Sequence, residues 1–178
     1  MAIITEESLN AGIVKEVAGR ILLAARTAPK ARGVDNLRLA IVDGNDIRIL
    51  ADKMIEIGER FEVEFFKRDA QNILNSPVVL LFGTVIRSQG LKKCGMCGYE
   101  NCEERERHPK TPCVFNTGDL GIAIGSAVSI AADNRVDSRV MYSIGQAAME
   151  LEMLGKDVAV AYGIPLSAMA KSPFFDRK

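Results

Sequence analysis

Segments with helical and strand-like hydrophobic spacing alternate along the chain, and this pattern predicts a layered protein of helices and strands. Thr5, followed by two acidic residues, is typical of a helix start. Apolar residues at helical spacing then predict one buried face, made of Leu9, Ile13, Val17, Ile21 and Ala25. Ala28-Pro29 should end this helix. The next apolar segment, "LRLAIVDG", is typical of a strand that stops at Asp43-Gly44.

The middle of the chain repeats this alternation. Asn45 or Asp46 is a candidate cap for a second helix. The apolar face of that helix is predicted to contain Ile47, Leu50, Met54, Ile57 and Phe61. The run "SPVVLLFGTV" is almost continuously apolar, which is typical of a strand covered on both faces.

The second half of the chain predicts a long helix and two more strands. The helix is "NTGDLGIAIGSAVSIAADN", in which Gly121, Gly125 and several alanines at four-residue spacing would allow close packing or a dimer seam. The strand candidates are "SRVMYSIG" and "KDVAVAYGI", with the helix "QAAMELEML" between them. This order of elements predicts an α/β or α+β layered domain.

Composition places the chain among ordinary globular proteins. Its 178 residues suit one domain, 48% are hydrophobic, 26% are charged, and 23 basic residues balance 23 acidic ones. We therefore expect neither a nucleic-acid partner nor a membrane partner. The N-terminus lacks the features of a signal peptide, and no apolar run reaches the roughly 20 residues that span a bilayer. A cytoplasmic location follows as an expectation, in which clustered cysteines favour metal or redox chemistry over disulfides.

All four cysteines fall in one polar window, "KKCGMCGYENCEERERHPKTPC", and make it the candidate metal site. The ligand set is Cys94, Cys97, Cys102 and Cys113. Three closely spaced thiolates and a later fourth match the way ferredoxins hold an iron–sulfur cluster. Glycines that follow the first two cysteines permit tight backbone curvature and expose N–H groups to cluster sulfurs.

Other uses of the cysteines remain open. A structural zinc ion also takes four thiolates, although its usual ligand pattern contains two close pairs. A redox pair of Cys94 and Cys97 would leave the other two without a function, and unconnected cysteines should scatter over the core. His108, the only histidine, is predicted to be an exposed loop residue, and "EERER" a solvated helical turn.

Two resemblances to known families follow from these motifs. "CGMCGYENC" resembles the Cys-Gly-x-Cys-Gly-x-x-x-Cys motif of small four-iron–four-sulfur domains in electron-transfer and corrinoid proteins, with Cys113 at the fourth ligand position. "ILLAARTAPKARGVDNLRLAIVDG", "SPVVLLFGTV", the long helix and "GKDVAVAYGIP" resemble the flavin-dependent nitroreductases. Together they resemble the uncharacterised ferredoxin-domain-containing proteins of bacteria and archaea. The resemblance implies one nitroreductase-like domain over residues 1–178, with a cysteine-rich iron–sulfur segment, 92–113, inserted in it.

The resemblance also implies cofactors and a function. Nitroreductases hold flavin mononucleotide (FMN) at a dimer interface, and the positions that match their cofactor contacts are Lys30, Arg32, Asn36 and Arg177. We therefore expect a homodimeric iron–sulfur electron-transfer protein with an unidentified redox partner. If FMN is bound, the protein is an oxidoreductase of unidentified substrate. The alternative is a zinc-stapled scaffold protein without redox activity.

Overall fold

The computed structural model describes residues 3–175 and places helices on both faces of a four-stranded sheet. The strand order is β1-β2-β4-β3, and each neighbouring pair is antiparallel. A short 3-10 turn, Ala31–Gly33, precedes β1. The elements in chain order are α1 (Glu6–Thr27), β1 (Leu37–Asp43), α2 (Asn45–Arg60), α3 (Glu64–Leu74), β2 (Val78–Val85), α4 (Cys102–Glu106), α5 (Val114–Asp133), β3 (Asp137–Ser138), α6 (Tyr142–Glu150) and β4 (Val158–Ser167).

Strand β2 lies at the centre of the three layers. All eight of its residues are buried, which confirms the prediction of a strand covered on both faces. Successive side chains of a strand point to opposite faces. Accordingly, Leu80 and Phe82 join the apolar cluster of α1 and α5, whereas Val79 and Leu81 join that of α2, α3 and α6. The predicted layered fold of helices and sheet is confirmed.

The predicted buried face of α1 is wrong at its N-terminal end. Leu9 is 48% exposed and Ile13 is 51% exposed. A strict four-residue spacing rotates by about 40° per step around a helix of 3.6 residues per turn, so the stripe leaves the core. The observed buried face mixes steps of one, three and four residues and consists of Val14, Val17, Ala18, Ile21 and Ala25.

The second helix follows its prediction apart from its cap and one residue. Its N-cap is Gly44, so the prediction that Asn45 or Asp46 caps the helix is wrong. Ile47, Leu50, Met54 and Ile57 are buried as expected. Phe61 lies just after the end of α2 and is 63% exposed, with the Arg60 guanidinium 4.9 Å from the centre of its ring.

The strand predicted for "SRVMYSIG" is also wrong. Only Asp137–Ser138 pairs as a strand, Met141 makes a single bridge to Gly163, and the chain is helical from Tyr142 onward. Helix α6 is buried on most sides, so its sequence lacks the polar face that marks a helix. Gly145 permits this burial, because a Cβ atom there would lie 1.9 Å from the Ala161 carbonyl oxygen.

Helix α5 confirms the predicted long helix. Ala123, Ala127 and Ala131 are buried, and α5 packs along α1 and against β2. Gly121 and Gly125 are exposed, and no described atom lies within 4 Å of a Cβ added to either, so packing within the chain does not require them. The dimer seam therefore stays a prediction.

Helix α5 also has the length and composition of a helix that could cross a membrane. Among residues 3–175 it is the only such helix, with 20 residues and a mean hydropathy of 1.3 over its best window. The expectation that no apolar run is long enough is therefore wrong on these two criteria. Within this fold, α5 is a core helix of one layer.

Candidate metal centre

The four cysteines line one narrow cavity between the end of β2, α4 and the start of α5. Cys113 is buried, the other three are half-buried, and none forms a disulfide. The complete lining is Ser88, Gln89, Leu91, Cys94, Gly95, Cys97, Asn101, Cys102, Arg105, Cys113, Val114 and Phe115. The fold thus brings together all four residues that the sequence identified as candidate metal ligands.

Local structure fixes the position of each cysteine. Gly95 and Gly98 have φ angles of +76° and +90°, and the Gly98 N–H donates to the Gly95 carbonyl oxygen at 3.0 Å. Glycine adopts this left-handed region with little strain, so the first two cysteines sit on a tight turn. Cys102 begins α4, where the Asn101 side chain accepts a hydrogen bond from the Glu104 N–H. Cys113 directly precedes α5, and the positive end of that helix dipole faces the cavity.

The prediction that "EERER" is a solvated turn is wrong at Arg105. Its side chain is only 5% exposed and lines the cavity. Nε and Nη2 donate to the Thr111 carbonyl oxygen at 2.9 and 2.7 Å, and Nη1 donates to Ser88 Oγ at 3.1 Å. Within the described chain the guanidinium forms no ion pair with a carboxylate. A buried positive charge of this kind is costly unless negative charge lies close by.

Gln89 is a second buried polar residue in the wall of the same cavity. The residue is 4% exposed, and its Nε2 has no hydrogen-bond acceptor among residues 3–175. Buried amide groups are nearly always paired, so this nitrogen indicates a missing acceptor. Thiolate or sulfide sulfur is an acceptor of the right kind. The donors and the charge around the cavity therefore fit an anionic metal–thiolate group.

The outer half of the cysteine segment is folded by aromatic and polar contacts. The rings of Tyr99 and His108 stack with their centroids 4.8 Å apart. Tyr99 Oη also lies 3.3 Å from Thr111 Oγ1. His108 itself is exposed, as predicted.

Arg32 links the loop proposed for FMN contacts to the wall of the cysteine cavity. Arg32 has a φ of +57°, and its Nη1 donates to the Gln89 carbonyl oxygen at 2.5 Å. Lys30 Nζ instead donates to three carbonyl oxygens at the C-terminal end of α1, at distances of 2.7 to 3.3 Å. Arg177 lies outside the described residues.

Asn36, the remaining proposed FMN contact, is buried beside the end of β2. It is 4% exposed, and its carbonyl oxygen accepts a hydrogen bond from the Val85 N–H at 3.2 Å. Its side-chain Nδ2 has no partner in the part of the chain that the structure describes. Of the three proposed FMN contacts that lie within residues 3–175, only Arg32 is linked directly to the cysteine cavity.

Two buried polar residues of α5 complete this end of the molecule and were missed in the sequence. Asn116 Oδ1 accepts a hydrogen bond from the Arg87 N–H at 2.9 Å, and Asp119 Oδ1 accepts one from the Ala31 N–H at 3.0 Å. Both residues lie on one face of a mostly apolar helix, three positions apart. This three-residue spacing was the signal in the sequence that could have identified the two residues.

The side chains do not converge as the ligands of a single ion would. Among residues 3–175, no group of three or more His, Cys, Asp or Glu side chains is arranged to hold one metal ion. In a four-iron cluster each cysteine binds a different iron, so its ligands surround a volume instead of a point. The four cysteines line one shared cavity.

Comparison with known sequences identifies relatives of the chain. The profile of a family described as "uncharacterized protein containing a ferredoxin domain" matches residues 110–177, which include Cys113 but not the other three cysteines. A protein of Archaeoglobus fulgidus, described as an uncharacterized protein, is 41% identical over 162 residues, covering 86% of this chain and 86% of that protein.

Solved structures with a similar fold are nitroreductases and related flavoproteins. A nitroreductase of Lactococcus lactis in complex with nicotinic acid has a TM-score of 0.63 at 14% identity, over 95% of this chain and 81% of the other. A putative nitroreductase of Desulfovibrio desulfuricans in complex with FMN has a TM-score of 0.57 at 13% identity, over 99% and 81%. The predicted nitroreductase-like fold is thereby confirmed. The match to the ferredoxin-domain family supports a redox role in general terms, whereas these solved structures show the fold alone.

Proposed function

We propose that this chain, which belongs to the family of proteins containing a ferredoxin domain, transfers electrons through an iron–sulfur cluster. The proposed ligands are Cys94, Cys97, Cys102 and Cys113. One observation carries the proposal: four thiols line a cavity whose wall also holds a buried guanidinium and an amide nitrogen without an acceptor. An anionic cluster would satisfy both groups.

The chain's own residues would hold the cluster, keep water from it and balance its charge. The thiolates would bind iron, while the turn at Gly95 and Gly98 sets the spacing of the first two ligands. The N-terminal end of α5 and the Arg105 guanidinium favour negative charge in the cavity. When bound, the cluster supplies one-electron transfer at a potential that depends on its surroundings.

We further propose a cluster of four irons, with a zinc-stapled scaffold as the alternative. Four cysteine ligands are the usual set for this cluster type. A structural zinc ion draws the same four thiolates tightly around one atom. The cysteine spacing favours the cluster, because the usual zinc pattern contains two close pairs, and metal analysis separates the two.

An FMN-linked oxidoreductase is the second candidate function, and one contact favours it. The hydrogen bond from Arg32 to the Gln89 carbonyl oxygen joins the loop proposed for FMN to the cysteine cavity. The buried Asn36 amide has a free donor for a ring edge. Because the Lys30 ammonium already meets three carbonyl oxygens, the phosphate would depend on Arg32 and Arg177.

The experiment is a metal and cofactor analysis of protein purified without oxygen. Iron, acid-labile sulfide, zinc and flavin are measured per chain on one sample. About four irons with equal sulfide support the cluster, and flavin in the same sample supports the oxidoreductase. Zinc near one per chain without sulfide would overturn the electron-transfer proposal.

A further inference from the structure

We propose that Gln89 and Arg105 are positioning residues that raise the reduction potential of the cluster. This inference rests on the proposed iron–sulfur function and extends it to the wall of the cavity. Neither side chain is a ligand. Each would act through the thiolates and sulfides that it faces.

Arg32 holds the Gln89 backbone in place, and the side-chain amide nitrogen has no acceptor among residues 3–175. Its carbonyl oxygen accepts the Arg32 hydrogen bond at 2.5 Å, which fixes the backbone on the side of the 30–36 loop. The residue is 4% exposed and lines the cavity, so an acceptor for Nε2 has to come from within the cavity. Sulfur in the cavity is the acceptor that this position fits.

Arg105 is held just as firmly by neutral groups. Three of its nitrogen atoms donate to the Thr111 carbonyl oxygen and Ser88 Oγ, and neither acceptor carries a charge. Within residues 3–175, the positive charge beside the four thiols is therefore not paired with a carboxylate. By contrast, the neighbouring Arg107 is exposed and pairs with Glu103 at 3.2 Å.

The direction of the effect follows from charge. A reduced cluster carries one more negative charge than the oxidised cluster. Hydrogen-bond donors and a nearby cation therefore stabilise the reduced form more strongly, which raises the potential. Removing either group should make reduction less favourable. For one charge-assisted hydrogen bond we expect roughly a tenfold change.

The test compares cavity variants with matched surface variants, all purified without oxygen as the full chain with its cluster. Gln89→Met removes the donor, and Gln89→Glu replaces it with an oxygen. Arg105→Met removes the charge, and Arg105→Lys keeps it. The controls are Gln71→Met and Arg107→Met, because both of those side chains are exposed. The reduced fraction is measured by electron paramagnetic resonance in equilibrium with a dye of known potential.

Gln89→Met and Arg105→Met should lower the ratio of reduced to oxidised cluster by roughly tenfold, equivalent to about 59 mV for one electron. Gln89→Glu should lower this ratio further. Arg105→Lys and both control variants should show a ratio close to that of the unchanged protein. A pulsed measurement should also show the loss of one exchangeable proton coupling in Gln89→Met.

The failure modes are distinct. If the unchanged protein lacks iron and sulfide, the proposed function itself fails. Full cluster content with unchanged potentials in all cavity variants would overturn only the role of Gln89 and Arg105. Loss of the cluster from both Gln89 variants and from Arg105→Met would also overturn it, because the residues would then be structural.

Discussion

The two ends of the molecule treat buried polar groups differently. Between α3 and α6, the buried Asp69 carboxylate accepts hydrogen bonds from Ser143 Oγ at 2.6 Å and from Arg68 Nε and Nη2 at 3.1 and 2.8 Å. Near the cysteines, Gln89, Asn36 and Asn116 are equally buried, yet each has an amide nitrogen without a partner among residues 3–175. The Asp69 carboxylate is satisfied within the chain, whereas the three amides near the cysteines lack an acceptor among the described residues. Away from the cysteine cavity, only two hydroxyl groups, Ser167 Oγ and Ser172 Oγ, are buried without a partner among residues 3–175.

Apolar packing shows the same contrast. The α2, α3 and α6 layer shares a large buried cluster with one face of the sheet. The 28 residues between Val85 and Val114 contain a single helix of five residues and contribute one buried hydrophobic residue, Cys113, to the core. Because so little apolar surface is buried there, we expect bound metal to supply much of the stability of this segment.

The largest expected effect comes from disrupting the packing of α6 against β4. Gly145→Ala would place a Cβ 1.9 Å from the Ala161 carbonyl oxygen, so α6 would have to move off β4. We expect a loss of about 4 kcal/mol or more in the free energy of unfolding, with or without bound metal. Thermal unfolding followed by circular dichroism measures this. The control is Gly19→Ala at an exposed position of α1, which should raise the free energy of unfolding by about 0.5–1 kcal/mol. Equal stability of the two variants would contradict the packing described for α6.

The next effect should be confined to the cysteine end. Cys113→Ser removes one proposed ligand, and we expect iron and sulfide per chain to fall by more than about tenfold. Proteolysis after Lys92 and Lys110 should become faster, whereas helix content by circular dichroism should hardly change. Met96→Ser is the control, because Met96 is exposed in the same segment. Unfolding of the whole chain by Cys113→Ser would refute the independence of the two regions.

A smaller effect is expected when one partner of the buried carboxylate is removed. Ser143→Ala leaves Asp69 Oδ2 without its 2.6 Å hydrogen bond. We expect a loss of about 1–3 kcal/mol in urea-induced unfolding, because a buried acceptor is then unpaired. The control is Ser129→Ala at an exposed position of α5, which should change stability by less than about 0.5 kcal/mol. If the two variants were equally stable, Asp69 would not be an example of a satisfied buried group.

The smallest effect concerns Asp35, in the loop that precedes β1. Burial alone would raise its pKa, but hydrogen bonds from Arg26 and the Leu37 N–H, with the nearby Lys30 charge, hold the pKa below the ordinary 3.8. A lowered folded-state pKa means that the ionised form adds stability above about pH 4, and this stability is lost as the pH falls further. Asp35→Asn should therefore cost less than about 1 kcal/mol at pH 7 and progressively less toward pH 3.

A pH series of urea unfolding, with exposed Asp52→Asn as the control, measures the Asp35 effect. A cost for Asp35→Asn that grew on acidification would contradict the assigned direction. The same cost for both substitutions at every pH would show that the Arg26 contact contributes nothing specific.

The sequence predicted the parts of the fold that have a simple pattern. Strand β2 and helix α5 are long and strongly apolar, and the four cysteines were already close together along the chain. Helix α6 was missed at its start because neighbours on both sides cover it, which removes the polar face. The outer residues of α1 were misplaced because a fixed spacing of four does not stay on one side of a helix.

The wall of the candidate site could not have been predicted in the same way. Nothing in "EERER" distinguishes Arg105, which is buried, from Arg107, which is exposed. The difference arises only when the segment folds back and places the Thr111 carbonyl oxygen and Ser88 around one guanidinium. The role of Gln89 likewise depends on a cavity formed by residues up to 26 positions away, such as Phe115.

The hydrogen bond between the Arg87 N–H and Asn116 Oδ1 joins two positions that are 29 residues apart. The cysteine segment therefore leaves the scaffold and returns to it at nearly the same point. Closing a loop costs little more when the loop is long than when it is short. We therefore expect this segment to be exchangeable as a unit: a short linker could replace it, a longer insert could occupy its place, and a lineage could gain or lose the proposed metal centre in one genetic step without redesigning the sheet.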